Sequence, residues 1–173
     1  MPRRLKTGEI GKGLEYKGQE KLPAGAQTIS PRQFPGAVRG FARITRDLRI
    51  DGQPPEVWMS VDSAVLSRPR TGTTVGVPQV LLNYARVSRS PWRLKAVIER
   101  QGHAVTSRFL TVRPLSATSA LEFFWALCNS PFANAYVYTH TGKRDVLTGL
   151  MRAMPVPSLI QDGVQRVIVA VHA

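Results

Sequence analysis

Residues 116–142 read SATSALEFFWALCNSPFANAYVYTHTG, and the fold turns on how this stretch is read. Leu121, Phe124, Trp125 and Cys128 recur at the spacing of one helical face. Ser116 or Ser119 can cap the N-terminus of that helix. Pro131 cannot continue it but suits the first position of a new one. Ala133, Tyr136 and Val137 then predict a second short helix that ends at Gly142.

Upstream the period is different. QVLLNYARVS (79–88) is strand-like and is broken by RSP (89–91). WRLKAVIE (92–99) alternates Trp92, Leu94, Ala96 and Ile98 against Arg93, Lys95, Val97 and Glu99. RQGH (100–103) is a turn, and AVTSRFLTVRP (104–114) resumes β-type composition. Together these predict an antiparallel meander. AVRGFARITRDLRI (37–50) fits either strands or a short basic helix, and VWMSVDSAVL (57–66) is a short apolar segment. Downstream, KRDVLTGLMRAM (143–154) predicts a short amphipathic helix through Val146, Leu147, Leu150 and Met151, stopped by PVP (155–157).

The expected class is α+β, an antiparallel curved sheet with C-terminal helices packed on it. Residues 1–30, rich in Gly, Lys, Glu and Gln without an apolar period, read as a flexible arm or linker. Residues 31–158 read as one folded domain. Residues 159–173, with Val164, Val167, Ile168 and Val171, read as the start of a further helix.

Charge narrows the function. The 173-residue chain has a net charge of +13, most of it from arginine. Arginine forks onto phosphates and guanine edges, so a polyanion, nucleic acid first, is the expected partner. No run of eighteen apolar residues is present, and the basic N-terminus leads into no apolar segment; neither a membrane span nor a secretory signal is expected. Cys128 stands alone, which fits a reducing cytoplasm and a buried apolar role. His103, His140 and His172 are far apart, so no metal is expected.

CNSPF (128–132) raises a sharper question. Enzymes that methylate the amino groups of adenine or cytosine in DNA carry a loop Asn/Asp/Ser-Pro-Pro-Tyr/Phe, which receives a flipped base. Here Ser130 replaces a proline, and no strand leads into a Gly-rich turn suited to S-adenosylmethionine. Nor do the scattered acidic residues form a nuclease-like cluster. The simpler reading is a helix that ends at Asn129 or Ser130. Neither catalytic residues nor a cofactor is expected.

Taken in order, residues 35–170 resemble the target recognition domains of restriction-modification systems. Such domains occur in type I specificity subunits and in the C-terminal part of adenine-N6 DNA methyltransferases. The resemblance rests on LLNYARVSRSPWRLKAVIE, on LCNSPFANAYVY at a helix end, on Met154-Pro155-Val156-Pro157-Ser158-Leu159, and on Gln165-Arg166-Val167-Ile168. It implies sequence-selective binding of double-stranded DNA, with methyl transfer left to another domain or subunit. The alternatives it leaves are a docking module that binds DNA only beside a methyltransferase, and a remnant of one.

Candidate contacts follow from the basic stretches. No acidic residue falls between Asp62 and Glu99. Arg86 and Arg89, beside Ser88 and Ser90, flank a turn and suit phosphate or guanine. Arg93 and Lys95 share one side of the 92–99 alternation. Arg108 is expected in a strand, directed out of the sheet. Lys143 and Arg144 open a predicted helix, where N–H groups favour anions. Arg43, Arg46 and Arg49 form one basic stripe if their segment is helical. Tyr84 and Trp92 could stack or pack, and Asn83 could read a base or be a satisfied buried amide.

Overall fold

The structure, a computed structural model, describes residues 8–45, 47–88, 91–114, 121–142, 145–146 and 148–155. The strands are β1 (Gly8–Lys12), β2 (Glu15–Tyr16), β3 (Ile29–Ser30), β4 (Ala37–Phe41), β5 (Glu56–Ser60), β6 (Leu66–Arg68), β7 (Gln79–Asn83), β8 (Ala96–Glu99), β9 (Ala104–Val105) and β10 (Phe109–Pro114). The helices are α1 (Leu121–Cys128), α2 (Pro131–His140) and α3 (Thr148–Ala153). The fold is α+β.

One antiparallel sheet runs β1-β10-β7-β8 and a second runs β3-β5-β4-β9, with β2 and β6 as a small pair beside them. In the first sheet Val112 faces Ile10 on one side and Val80 on the other, and Val80 faces Ile98. These residues, with Leu82, Ala96 and Leu110, form one core with Phe124, Leu127, Ala133, Val137 and Met151 of the helices. Side chains alternate along a strand, so Leu81, Val97 and Phe109 emerge on the opposite face. There they pack on Phe41 of β4 and Val105 of β9. The first sheet is therefore covered on both faces, by helices and by the second sheet.

The meander expected from 79–114 is only half present. β7 and β8 pair, but β10 returns beside β7, and β9 leaves to pair in parallel with β4. A turn at Thr106–Arg108 separates β9 from β10.

The expectation of a mobile arm over residues 1–30 is corrected for its described part. β1 forms the edge of the first sheet, β2 pairs with β6, and β3 pairs with β5. Ile10 and Leu14 are the large apolar side chains buried here, too few to show a period. Glycines allow the close approach instead. A Cβ on Gly11 would lie 2.3 Å from Thr71 Cγ2, and one on Gly13 would lie 2.0 Å from the Thr106 carbonyl. Residues 159–173 lie outside the described residues.

The CNSPF stretch is a helix junction. α1 ends at Cys128, the Ser130 hydroxyl accepts the Ala133 N–H as the N-cap of α2, and Pro131 opens that helix. Asn129 does not project freely: its amide is bonded to Ala96 of β8.

Between 91 and 95 the chain runs beside β7 before the β8 ladder begins, and asparagine side chains take over the backbone bonding. Asn134 Oδ1 accepts the Arg93 and Leu94 N–H groups at 2.7 and 2.8 Å. Asn83 Oδ1 accepts the Lys95 N–H at 2.6 Å, and its Nδ2 donates to Ala85 O and Arg93 O. Buried backbone polar groups need partners, and these two amides supply them.

Candidate nucleic-acid interface

Three chain segments meet beyond the end of β7. The strand β4 ends at Phe41 and sends Arg43 outward; β7 ends at Asn83 and leads to Arg86; the turn before β10 carries Arg108. Arg43, Arg86 and Arg108 line one open hollow of about 350 Å³, together with Ile44, Asn83, Ala85 and Val87. Among the described residues no carboxylate lines it. Arg43 and Arg108 are exposed and Arg86 is half-buried.

Thr106 fixes two of these segments to each other. Its hydroxyl donates to Ala42 O and accepts the Arg108 N–H at 3.3 Å. The Thr106 N–H also reaches Phe41 O at 3.2 Å. The third segment is tied in by Tyr84 N–H to Arg108 O at 2.9 Å, and the Asn83 amide braces it internally through Ala85 O. The three arginines thus stand on backbone that is bonded together, although they are far apart in sequence.

Their side chains are unengaged. Among the described residues no hydrogen bond or ion pair holds the guanidinium of Arg43, Arg86 or Arg108. Most other described arginines are occupied. Arg39, Arg49, Arg70 and Arg100 pair with Glu56, Asp51, Glu15 and Glu122. Arg93, Arg113 and Arg152 donate to backbone carbonyls. Arg32 and Arg68 are exposed as well but do not line the hollow. Unpaired guanidinium groups that converge in one place, with five N–H donors each, suit phosphate oxygens or guanine O6 and N7.

Other sequence-predicted contacts fall elsewhere. Arg93 is only 8% exposed; its guanidinium donates to Thr141 O at 3.2 Å and lies 4.6 Å from the Tyr138 ring. It is a packing residue, because segment 91–95 turns that side chain inward beneath α2. Lys95 Nζ is bound to Leu48 O, and burial pulls its pKa down against the opposing pull of Asp47. It anchors the 42–53 loop instead of facing outward. Ser88 is half-buried and already engaged. Arg108 sits in a turn, not in a strand. The described residues of 42–50 form no helix, so the condition for a basic stripe is not met, and Arg49 is paired with Asp51. Arg46, Arg89, Ser90, Lys143 and Arg144 lie outside the described residues.

Tyr84 packs on the helical core with Lys12 Nζ 3.6 Å from its ring centre, while Trp92 is 49% exposed. Asn83 proves to be a satisfied buried amide. Thr106 was not signalled by the sequence: a threonine in a β-rich stretch has no distinctive pattern. Among the described residues no group of His, Cys, Asp and Glu is placed to hold a metal, and no helix is long and apolar enough to cross a membrane.

No protein-family model matches this chain, and no curated protein does.

Proposed function

We propose that the chain binds double-stranded DNA in a sequence-selective way, as the recognition module of a restriction-modification methyltransferase. Methyl transfer belongs, in this reading, to a separate domain or subunit. The observation that carries it is the convergence of Arg43, Arg86 and Arg108 on one hollow that no carboxylate of the described residues lines, in a chain of net charge +13. Neighbouring guanidinium groups repel one another, and nothing in the described fold compensates them. A phosphate backbone or a guanine edge would do so.

The methyltransferase connection rests on the resemblance of residues 35–170 to target recognition domains. The junction at Asn129–Pro131 supports a non-catalytic role for that stretch, since its polar side chains already serve the fold. Specific binding is tested by selecting duplexes from a random pool and comparing the winners with random sequence. The reading predicts an enriched motif and tighter binding to it, each good base contact contributing about 1–3 kcal/mol. Equal binding of selected and random duplexes at every salt concentration would remove the recognition role.

A further inference from the structure

Three guanidinium groups share one hollow of about 350 Å³, and that number bears on what enters it. A guanine edge presents two acceptors, O6 and N7, and a single guanidinium fork fills both. Three forks on one hollow exceed what a base edge can take. A side chain that reads bases must also enter a groove about 8.5 Å deep. A recessed wall does the opposite: it receives what projects from the duplex, and what projects is the sugar–phosphate backbone.

The rest of the lining agrees. Asn83 is the residue type that pairs with adenine, but its amide is committed. Its Oδ1 accepts the Lys95 N–H, and its two amide hydrogens go to Ala85 O and Arg93 O. Ile44, Ala85 and Val87 are apolar and suit the C–H groups of a sugar. Among the described residues no carboxylate lines the hollow, so the three positive charges lack a counter-charge. An ionised phosphate supplies one and a neutral base edge does not. Thr106 and Tyr84 bond the three segments to one another, so the arrangement is set before DNA arrives.

On the reading of the chain as a duplex-binding module, on which this assignment rests, we propose that the hollow seats an internal phosphodiester of one DNA strand and its deoxyribose. Arg43, Arg86 and Arg108 set affinity and register there, and bases are read by side chains outside the hollow.

The test uses the full chain and a duplex in which each phosphate in turn is replaced by an uncharged methylphosphonate, the bases being unchanged. At one or two adjacent linkages the wild-type affinity is expected to fall by about fivefold or more. The same replacement is expected to have no effect on the variant with Arg43→Ala, Arg86→Ala and Arg108→Ala together. That variant is expected to lose the same factor of affinity on selected and on random duplexes. Among the described residues none of the three guanidinium groups is bonded within the fold, so its urea midpoint should match that of the wild type. Arg86→Gln, which removes a single charge, is expected to lose affinity equally on both duplexes and to shrink the methylphosphonate effect, whether or not the triple variant folds. Methylphosphonate effects of equal size in wild type and variants, or a loss of discrimination between duplexes in either variant, overturns the proposal. So does displacement of the duplex by O-phosphoserine where chloride of equal ionic strength has no effect, which marks a seat for a terminal phosphate. Equal affinity of the wild type for selected and random duplexes is a separate failure: it removes the recognition role, while the methylphosphonate comparison still decides the phosphate seat.

Discussion

The side-chain amide of Asn129 pairs with the backbone of Ala96 on both sides: Oδ1 accepts the Ala96 N–H at 3.0 Å and Nδ2 donates to Ala96 O at 2.9 Å. It stands where a neighbouring strand would stand, and it locks the C-terminal end of α1 to the edge of the first sheet. Replacing it with alanine leaves two backbone groups of β8 without partners. Asn129→Ala is therefore expected to lower stability by about 1–3 kcal/mol, with Asn129→Asp at least as damaging because a carboxylate would face Ala96 O. Urea unfolding checks this through a lower midpoint at unchanged slope.

Thr106→Val keeps the shape of the side chain but removes the hydroxyl that links Ala42 O to the Arg108 N–H. About 1 kcal/mol of stability should be lost. Duplex affinity should fall too, because Arg43 and Arg108 lose their fixed separation. The dependence of affinity on salt should not change, since every guanidinium remains.

Lys95 gives a contrast between anchoring and contact. Lys95→Met is expected to loosen the loop at Leu48, seen as faster amide exchange there, without a change in the salt dependence of DNA binding. Its lowered pKa also has a sign. Between the lowered value and the ordinary 10.5, the unfolded chain binds more protons at this site than the folded one, so this contribution to stability rises with pH. The stability of the wild type minus that of Lys95→Met should therefore increase as pH approaches 10.5.

Cys128 is fully enclosed by the helical core, and burial pushes its thiol up to about 12. Iodoacetamide should label it only through unfolding, at a rate that follows the unfolding equilibrium as urea is added. The unfolded thiol ionises near its ordinary value of 9.0, so above that pH this group should lower stability. Rapid labelling of the native chain would contradict the packing described.

The helix pair was legible because its signals are local: apolar residues at helical spacing and a proline at Pro131; the Ser130 cap of the second helix was not read, and Ser116 and Ser119 lie outside the described residues. The strands at 79–83, 96–99 and 109–114 were legible from composition for the same reason. β1 was not, because what places it is the fit of Gly11 and Gly13 against Thr71 and Thr106, residues remote in sequence. Arg93 and Lys95 were misread because alternation tells which residues share a side, not whether that side is open. The first sheet is covered on both faces, which also buries Glu99 and Arg113 in a polar chain through Gln79. The hollow itself was half legible. Arg86 stood out in an acid-free stretch, but its meeting with Arg43 and Arg108 depends on β9 crossing to the second sheet.

The most direct test of the arginine hollow is the slope of log affinity against log salt for one duplex. It should be measured with the wild type, with Arg43→Ala, Arg86→Ala and Arg108→Ala, and with all three together. Removing a guanidinium that holds a phosphate reduces the slope by about 0.9, whereas removing one that reads a base reduces discrimination among sequences. The account predicts that every single variant shows one of these changes and that the triple variant shows the largest. If the triple variant binds the duplex with the affinity, slope and discrimination of the wild type, these arginines do not hold DNA.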